Sequence, residues 1–258
     1  MLRTLFSTTQ PEKILPIEQI KQYISPDSIM AFNLGTEGVE KKITILGVNT
    51  KTNNLFFIKY ATKPIAARNV LNESIVLQQL SHLPFVPKLQ LSVRQENCFT
   101  LIKTTVLQGA KMKQQPSDEQ MLTILFTLSA QQLKSNREYD SDLRTCFAHG
   151  DFCPWNMLIN DGNIGIYDWE MAGQYPLGYD LFTCIFQFEF LVSEKLRFNQ
   201  ILKENANLIQ HYFSYFQITN WKPYLHKFSE LKYLLESEKH NDDLIDSYFQ
   251  LEKYVANL

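Results

Sequence analysis

The chain has 258 residues, 45% hydrophobic and 20% charged, ordinary values for a globular protein that holds one large domain or two small lobes. A formal net charge of −2 argues against a broad nucleic-acid-binding face. The most apolar stretch, residues 182–192, is interrupted by Gln187 and Glu189 and is too short to span a membrane.

Cys98, Cys146, Cys153 and Cys184 form no C-x-x-C pair and no zinc spacing with histidine, so free thiols in a cytoplasmic protein are the simplest expectation. Residues 1–10 lack a long apolar segment, and no secretory signal is expected there.

In chain order, residues 1–27 predict a mobile start and then a short helix, with Ile17, Ile20 and Ile24 at helical spacing before Pro26. Runs at 29–34, 42–48 and 54–60 predict three strands joined by polar turns, an antiparallel meander. The first turn, Gly35-Thr36-Glu37-Gly38, can cover phosphates with backbone N–H groups, although a full G-x-G-x-x-G is absent. Strand alternation puts Phe57 and Lys59 on one face, so Lys59 is either an edge solubiliser or a cation aimed into a cleft.

Residues 65–83 have helical periodicity, and Val70, Glu73, Leu77 and Leu80 share a stripe. A carboxylate on an apolar face needs a partner, and Lys59 is the natural one; the alternative is a solvated Glu73 at the stripe edge. Strands at 88–94 and 97–105 then complete a small α+β lobe, and residues 104–109 cross to the second lobe. Ser117 and Gln120 form a capping box for a scaffold helix carrying Met121, Leu122, Leu125, Leu128 and Leu133.

The chemistry concentrates at His149-Gly150-Asp151-Phe152-Cys153-Pro154-Trp155-Asn156, which Gly150 and Pro154 make irregular. Apolar runs at 157–159 and 164–167 flank Asn160-Asp161-Gly162-Asn163, a hairpin signal that returns Asp168 to the loop carrying Asp151 and Asn156. A carboxylate orients and deprotonates an attacking hydroxyl, and an amide oxygen with a second carboxylate holds Mg²⁺, so the cluster suits phosphoryl transfer. Cys153 as a nucleophile is disfavoured, because no separate His-Asn set points to it. Beyond Glu170, helices are predicted from Tyr179 and over 198–216, 225–235 and 242–255. Aromatics there, such as Phe186, Tyr212, Tyr215 and Trp221, are expected in the core rather than in a cage for a quaternary ammonium.

The wording His149-Gly150-Asp151-Phe152, Pro154-Trp155-Asn156, then Asp168-Trp169-Glu170 resembles the aminoglycoside phosphotransferase and choline kinase family. The resemblance runs in order through most of the chain, from the glycine turn and Lys59 to the helical C-terminal part. It implies an α+β, two-lobed, protein-kinase-like fold, with a nucleotide-binding lobe at 1–107 and a catalytic and acceptor-binding lobe at 108–258. It further implies transfer of the γ-phosphoryl of Mg-ATP to a hydroxyl of a small molecule: a sugar, an amino alcohol or an aminoglycoside-like compound. In that scheme Asp151 is the catalytic base and His149 braces its loop. Lys59 contacts nucleotide phosphates, Glu73 orients it, and Gly35 and Gly38 belong to the covering turn. Asn156 and Asp168 hold Mg²⁺, and Asp180 buttresses the catalytic loop unless it only caps its helix. Trp169-Glu170 stand where protein kinases carry Phe-Gly, which argues against a protein kinase. The short segment between Gly109 and His149 leaves the acceptor pocket to the helices after Pro176. Two other readings stand beside this one: a kinase-fold binding or regulatory protein without transfer activity, and a metal-dependent phosphohydrolase, which lacks further histidine ligands.

Overall fold

A computed structural model describes residues 16–96, 98–139, 142–192, 196–239 and 242–258. The expected mobile start and the segment without a secretory signal, at residues 1–15, lie outside them, as does Asn97. After a short helix, α1 (Pro16–Lys21), come β1 (Ser28–Asn33), β2 (Ile43–Asn49) and β3 (Leu55–Ala61), paired antiparallel in sequence order. The strands β4 (Leu89–Gln95) and β5 (Phe99–Thr105) complete the sheet in the order β1-β2-β3-β5-β4. Alternation explains the sheet's two faces. Ile45, Phe56, Ile58, Tyr60, Phe99 and Leu101 pack with Ile20 and Ile24 of the N-terminal segment on one side. Helix α2 (Pro64–Gln79) covers the other, with Ala66 and Val70 against Ala61 and Ile102.

Several boundaries differ from expectation, each for a local reason. Helix α2 stops at Gln79 and tightens into a 3₁₀ turn, Leu80–His82, ahead of Pro84. Strand β5 begins at Phe99. The helix expected from Ser117 is α3 (Asp118–Ser129), opened by the capping box with Gln120 N–H donating to Ser117 Oγ at 3.3 Å. It ends short of Leu133, which packs from the segment beyond.

The second half of the chain is mainly helical around one large core. Helix α3 packs on β7 (Thr145–Ala148), which pairs antiparallel with β10 (Gly173–Pro176). Between them lies the hairpin of β8 (Met157–Asn160) and β9 (Asn163–Ile166), and the short β6 (Ala110–Lys111) joins its edge. Asp161 and Gly162 both take left-handed backbone angles, φ +49° and +79°, as a two-residue hairpin turn requires. The irregularity expected at 149–156 includes a 3₁₀ turn, Pro154–Asn156.

Beyond β10, the aromatic run forms α4 (Tyr179–Phe182), a π-helical turn (Thr183–Gln187) and α5 (Phe188–Val192). The helix expected over 198–216 divides at Asn205 into α6 (Phe198–Glu204) and α7 (Ala206–Tyr215). Long helices α8 (Lys222–Lys239) and α9 (Asp242–Val255) close the chain and pack on one another. Phe186 and Tyr212 are core residues, while Tyr215 is 60% exposed and stacks on Phe126 at 4.0 Å. No helix among the described residues is long and apolar enough to cross a membrane.

Candidate active site

The two halves of the chain meet at a set of charged side chains. Lys59, on β3 opposite Thr44 of β2, is buried. Its Nζ donates to Glu73 Oε2 of α2 at 2.5 Å and to Asp168 Oδ1, which arrives just after β9. Glu73 is 3% exposed, so the alternative of a solvated carboxylate fails: the side chain is turned inward and paired. Lys42, at the foot of the glycine turn, pairs with Glu170. The carboxylates of Glu73, Asp168 and Glu170 lie within 4.8 Å of one another.

This crowding governs the ionisation of the group. Burial pushes Lys59 toward its neutral form, but Asp168, Glu73 and Glu170 outweigh it and hold the ammonium well above the usual lysine range. Burial also pushes the Asp168 carboxyl up, and Lys59 and Lys42 overcome that and hold it below the usual carboxylate range. Glu73 has the weaker claim on Lys59: burial raises its carboxyl against the pull of that lysine. Asp168 has a left-handed backbone, φ +68° and ψ +57°, a conformation that costs energy outside glycine and that persists where surrounding contacts enforce it.

The loop bearing Asp151 hangs from Asp180. His149 N–H donates to Asp180 Oδ2 at 2.6 Å and Gly150 N–H to Oδ1 at 2.9 Å. Asp180 therefore does not cap its own helix; both its oxygens face the loop. Gly150 takes φ +84° because its backbone runs against the carbonyl of Met171, where a Cβ would collide. His149 is fully buried. Its Nδ1 accepts from Asp151 N–H at 3.3 Å, so Nε2 is the atom that donates to Tyr167 O at 3.1 Å. The ring also meets Trp169 edge-on at 4.6 Å.

Asp151 is half-buried and its two carboxylate oxygens have separate amide donors. Asn156 Nδ2 donates to Oδ2 at 2.8 Å and to the Asp151 carbonyl at 2.9 Å, and Gln187 Nε2 donates to Oδ1 at 3.1 Å. Asn156 thus spends its nitrogen on Asp151 and keeps its side-chain oxygen for another partner. Cys153, beside this pair, is fully buried, and burial pushes its thiol well above the ordinary value, which fits packing and not nucleophilic chemistry.

The glycine turn roofs the site. A cavity of about 640 Å³ is bounded by residues 35–42 above and by Asp151, Gln187, Glu236 and Leu244 below. Gly35, at φ +68°, faces the Lys42 carbonyl at a distance that a Cβ would reduce to 2.7 Å, so a side chain there would open the turn. The crossing segment lies against the hairpin, with Leu107 packed on Gly165. Asn72, one residue before Glu73, donates to the carbonyls of Glu170 at 3.1 Å and Ala172 at 2.8 Å, and so ties α2 to the segment that follows Asp168.

Gln187, Lys42 and Asn72 carry contacts that the sequence did not single out, and Glu170 is legible there as part of a motif but without its ion pair. Gln187 shows there only as a polar break in an apolar run, and Asn72 only as a polar neighbour of Glu73.

This sheet-and-helix lobe over a helical lobe is a protein-kinase-like fold. Residues 102–207 match the profile of the phosphotransferase enzyme family. The fold is shared with aminoglycoside phosphotransferases and an ethanolamine kinase of known structure. Among solved structures, the amicoumacin kinase hAmiN in complex with AMP-PNP, Ca²⁺ and Ami is similar with a TM-score of 0.62, 13% identity, and 93% of each chain covered. An aminoglycoside-3'-phosphotransferase of type VIII has a TM-score of 0.60 and 14% identity, over 90% of this chain and 98% of that one. The ethanolamine kinase of Plasmodium vivax has a TM-score of 0.58 and 12% identity, over 92% and 85%. A search of curated proteins finds no match in sequence.

Proposed function

We propose that the chain is a phosphotransferase that moves the γ-phosphoryl of Mg-ATP to a hydroxyl of a small molecule. The observation that carries this reading is the position of Asp151. It lies in the wall of a cavity roofed by a glycine turn, on a loop next to the Lys59–Asp168 pair. The solved relatives support it through what their names state: an amicoumacin kinase, aminoglycoside phosphotransferases and an ethanolamine kinase.

Each carboxylate oxygen of Asp151 uses one lone pair on an amide and retains another. A hydroxyl placed at that edge is oriented by the carboxylate and gives up its proton to it as the bond to phosphorus forms. His149 holds the loop through its two ring nitrogens, and Asp180 holds it through two backbone N–H groups. Lys59 offers its ammonium to the nucleotide phosphates while Glu73 keeps it in place. Backbone N–H groups of the turn containing Gly35 and Gly38 cover those phosphates. The free oxygen of Asn156 and the carboxylate of Asp168 are hard donors that suit Mg²⁺. When bound there, the ion neutralises charge on the transferred phosphoryl group. With Asp168 given to the ion, Glu73 would be the carboxylate that holds Lys59.

Release of ADP from Mg-ATP, scored against amino alcohols, sugars and aminoglycosides, tests the reading and finds the acceptor. Asp151→Ala should remove turnover and keep nucleotide binding. Turnover unchanged in that variant would end the assignment.

A further inference from the structure

We propose that Gln187 is a positioning residue for Asp151 and that the buried cation of Lys232 decides which end of the Gln187 amide faces it. This rests on the reading of Asp151 as the base. Lys232 comes from α8 and is 3% exposed. Its Nζ donates to Gln187 Oε1 at 2.8 Å and sits 5.4 and 5.8 Å from the ring centroids of Tyr179 and Tyr248. Tyr248, from α9, donates its hydroxyl to the same Gln187 oxygen at 3.2 Å.

The orientation of the amide follows from donor chemistry. An ammonium has only donors and a carboxylate only acceptors, so the glutamine oxygen must face Lys232 and its nitrogen must face Asp151. Flipping the amide would set Nε2 against the ammonium and Oε1 against the carboxylate, two repulsions in a buried place. Lys232 therefore locks a neutral donor onto Asp151 Oδ1, and Asn156 supplies the matching donor on Oδ2. The plane of the carboxylate is set from both sides.

The interposed amide has a chemical purpose. A lysine in direct contact with Asp151 would stabilise the carboxylate and weaken it as a proton acceptor. A glutamine between them passes on orientation and keeps the cation one side chain away. The π-helical turn Thr183–Gln187 delivers this glutamine from a helix that otherwise buries aromatics, and such turns concentrate at functional sites.

The test uses Gln187→Glu, a variant of the same shape. Its carboxylate still accepts from Lys232 and Tyr248, so the interior remains satisfied, but it turns an acceptor toward Asp151. We expect an unchanged Kd for AMP-PNP, which reports an intact fold, and ADP release from Mg-ATP with water as acceptor reduced about 10- to 100-fold. Turnover within about threefold of wild type would overturn the proposal, since a group that only packs has no reason to act on the base. A cycle of Lys232→Met, Gln187→Leu and the double variant adds a second reading. The double variant should lose no more turnover than the worse single one, and additive losses would break the proposed relay. Crystal structures of the wild type and Gln187→Glu decide the same point without activity. The Asp151 carboxylate should rotate away from residue 187 in the variant, and an unmoved carboxylate counts against the relay. A wild type that releases no ADP would refute the phosphotransferase reading alone, leaving the crystallographic comparison to judge the relay.

Discussion

The two sides of the cleft hold their key charges by different means. On the sheet side, Lys59 is surrounded by opposite charge, with Glu73 and Asp168 on its ammonium and Glu170 close by. On the helical side, the side-chain donors that Asp151 meets among the described residues are neutral, Asn156 and Gln187. Charge pairing suits a group that must exchange partners, because a phosphate or a metal ion can substitute for a carboxylate or an ammonium at similar energy. Amide cradling suits a carboxylate that must be oriented without a full positive charge placed against it.

Removing the amide-held charge should have the largest effect. Asp151→Ala is expected to lower turnover by about 10² to 10⁴, read as ADP release, with the Kd for AMP-PNP nearly unchanged. Removing the charge-held group should instead damage the fold. Lys59→Met takes the bound ammonium from Glu73 and Asp168 and should cost about 3–5 kcal/mol in urea unfolding, as for other broken buried pairs. A stability loss for Asp151→Ala equal to that of Lys59→Met would erase the contrast between the two sides.

Asn72→Ala sharpens the contrast by loosening the joint between them. It removes one donor from each of the carbonyls of Glu170 and Ala172, which keep Arg137 Nε and Ser135 Oγ, and takes the side-chain acceptor from Asn136 N–H, so it should cost about 1–3 kcal/mol, again in urea. It should also raise the KM for ATP more than it lowers kcat, since α2 carries Glu73. Ser117→Ala, far from the cleft, should cost only about 1 kcal/mol through the lost cap and leave turnover alone.

The charge-paired side also has a pH signature. Asp168 has its carboxyl held below the usual range, so the folded state binds fewer protons than the unfolded chain once pH drops through the ordinary carboxylate value. Its contribution is complete above that value and is lost as pH falls through the folded one. The stability difference between wild type and Asp168→Asn should therefore be widest at neutral pH and shrink steadily below about pH 4. A difference that stayed constant down to pH 2 would show that Asp168 gains nothing from Lys59.

The parts of this site that the sequence announces are those tied to strong local signals. The Asn160–Asn163 turn and its flanking apolar runs predict the hairpin that returns Asp168, and helix phase predicts that Glu73 points inward. Lys59 emerges from alternation on a strand. What stays illegible depends on contacts between distant elements. Gln187 and Lys232 are 45 residues apart in sequence, and neither lies in a motif. Lys232 looks like any lysine of a surface helix until α9 and α4 close over it. Asp180 was ambiguous between cap and buttress because both roles use the same residue at the same helix start; only the arrival of His149 and Gly150 at its oxygens separates them. Helix bounds depart from the periodicity where proline or asparagine interrupts it: α2 ends at Gln79 ahead of Pro84, and the run over 198–216 divides at Asn205.

The π-helical turn at Thr183–Gln187 changes the phase of everything after it. One surplus residue in a helix advances the following side chains by about 100°. Phe182 and Phe186 pack on Phe228 on the core side of that helix, and Gln187 comes round to the cavity. The angular position of the group beside Asp151 is therefore a count of residues. Deleting Ile185 alone would keep every side chain named in the cleft and still turn residue 187 away from it.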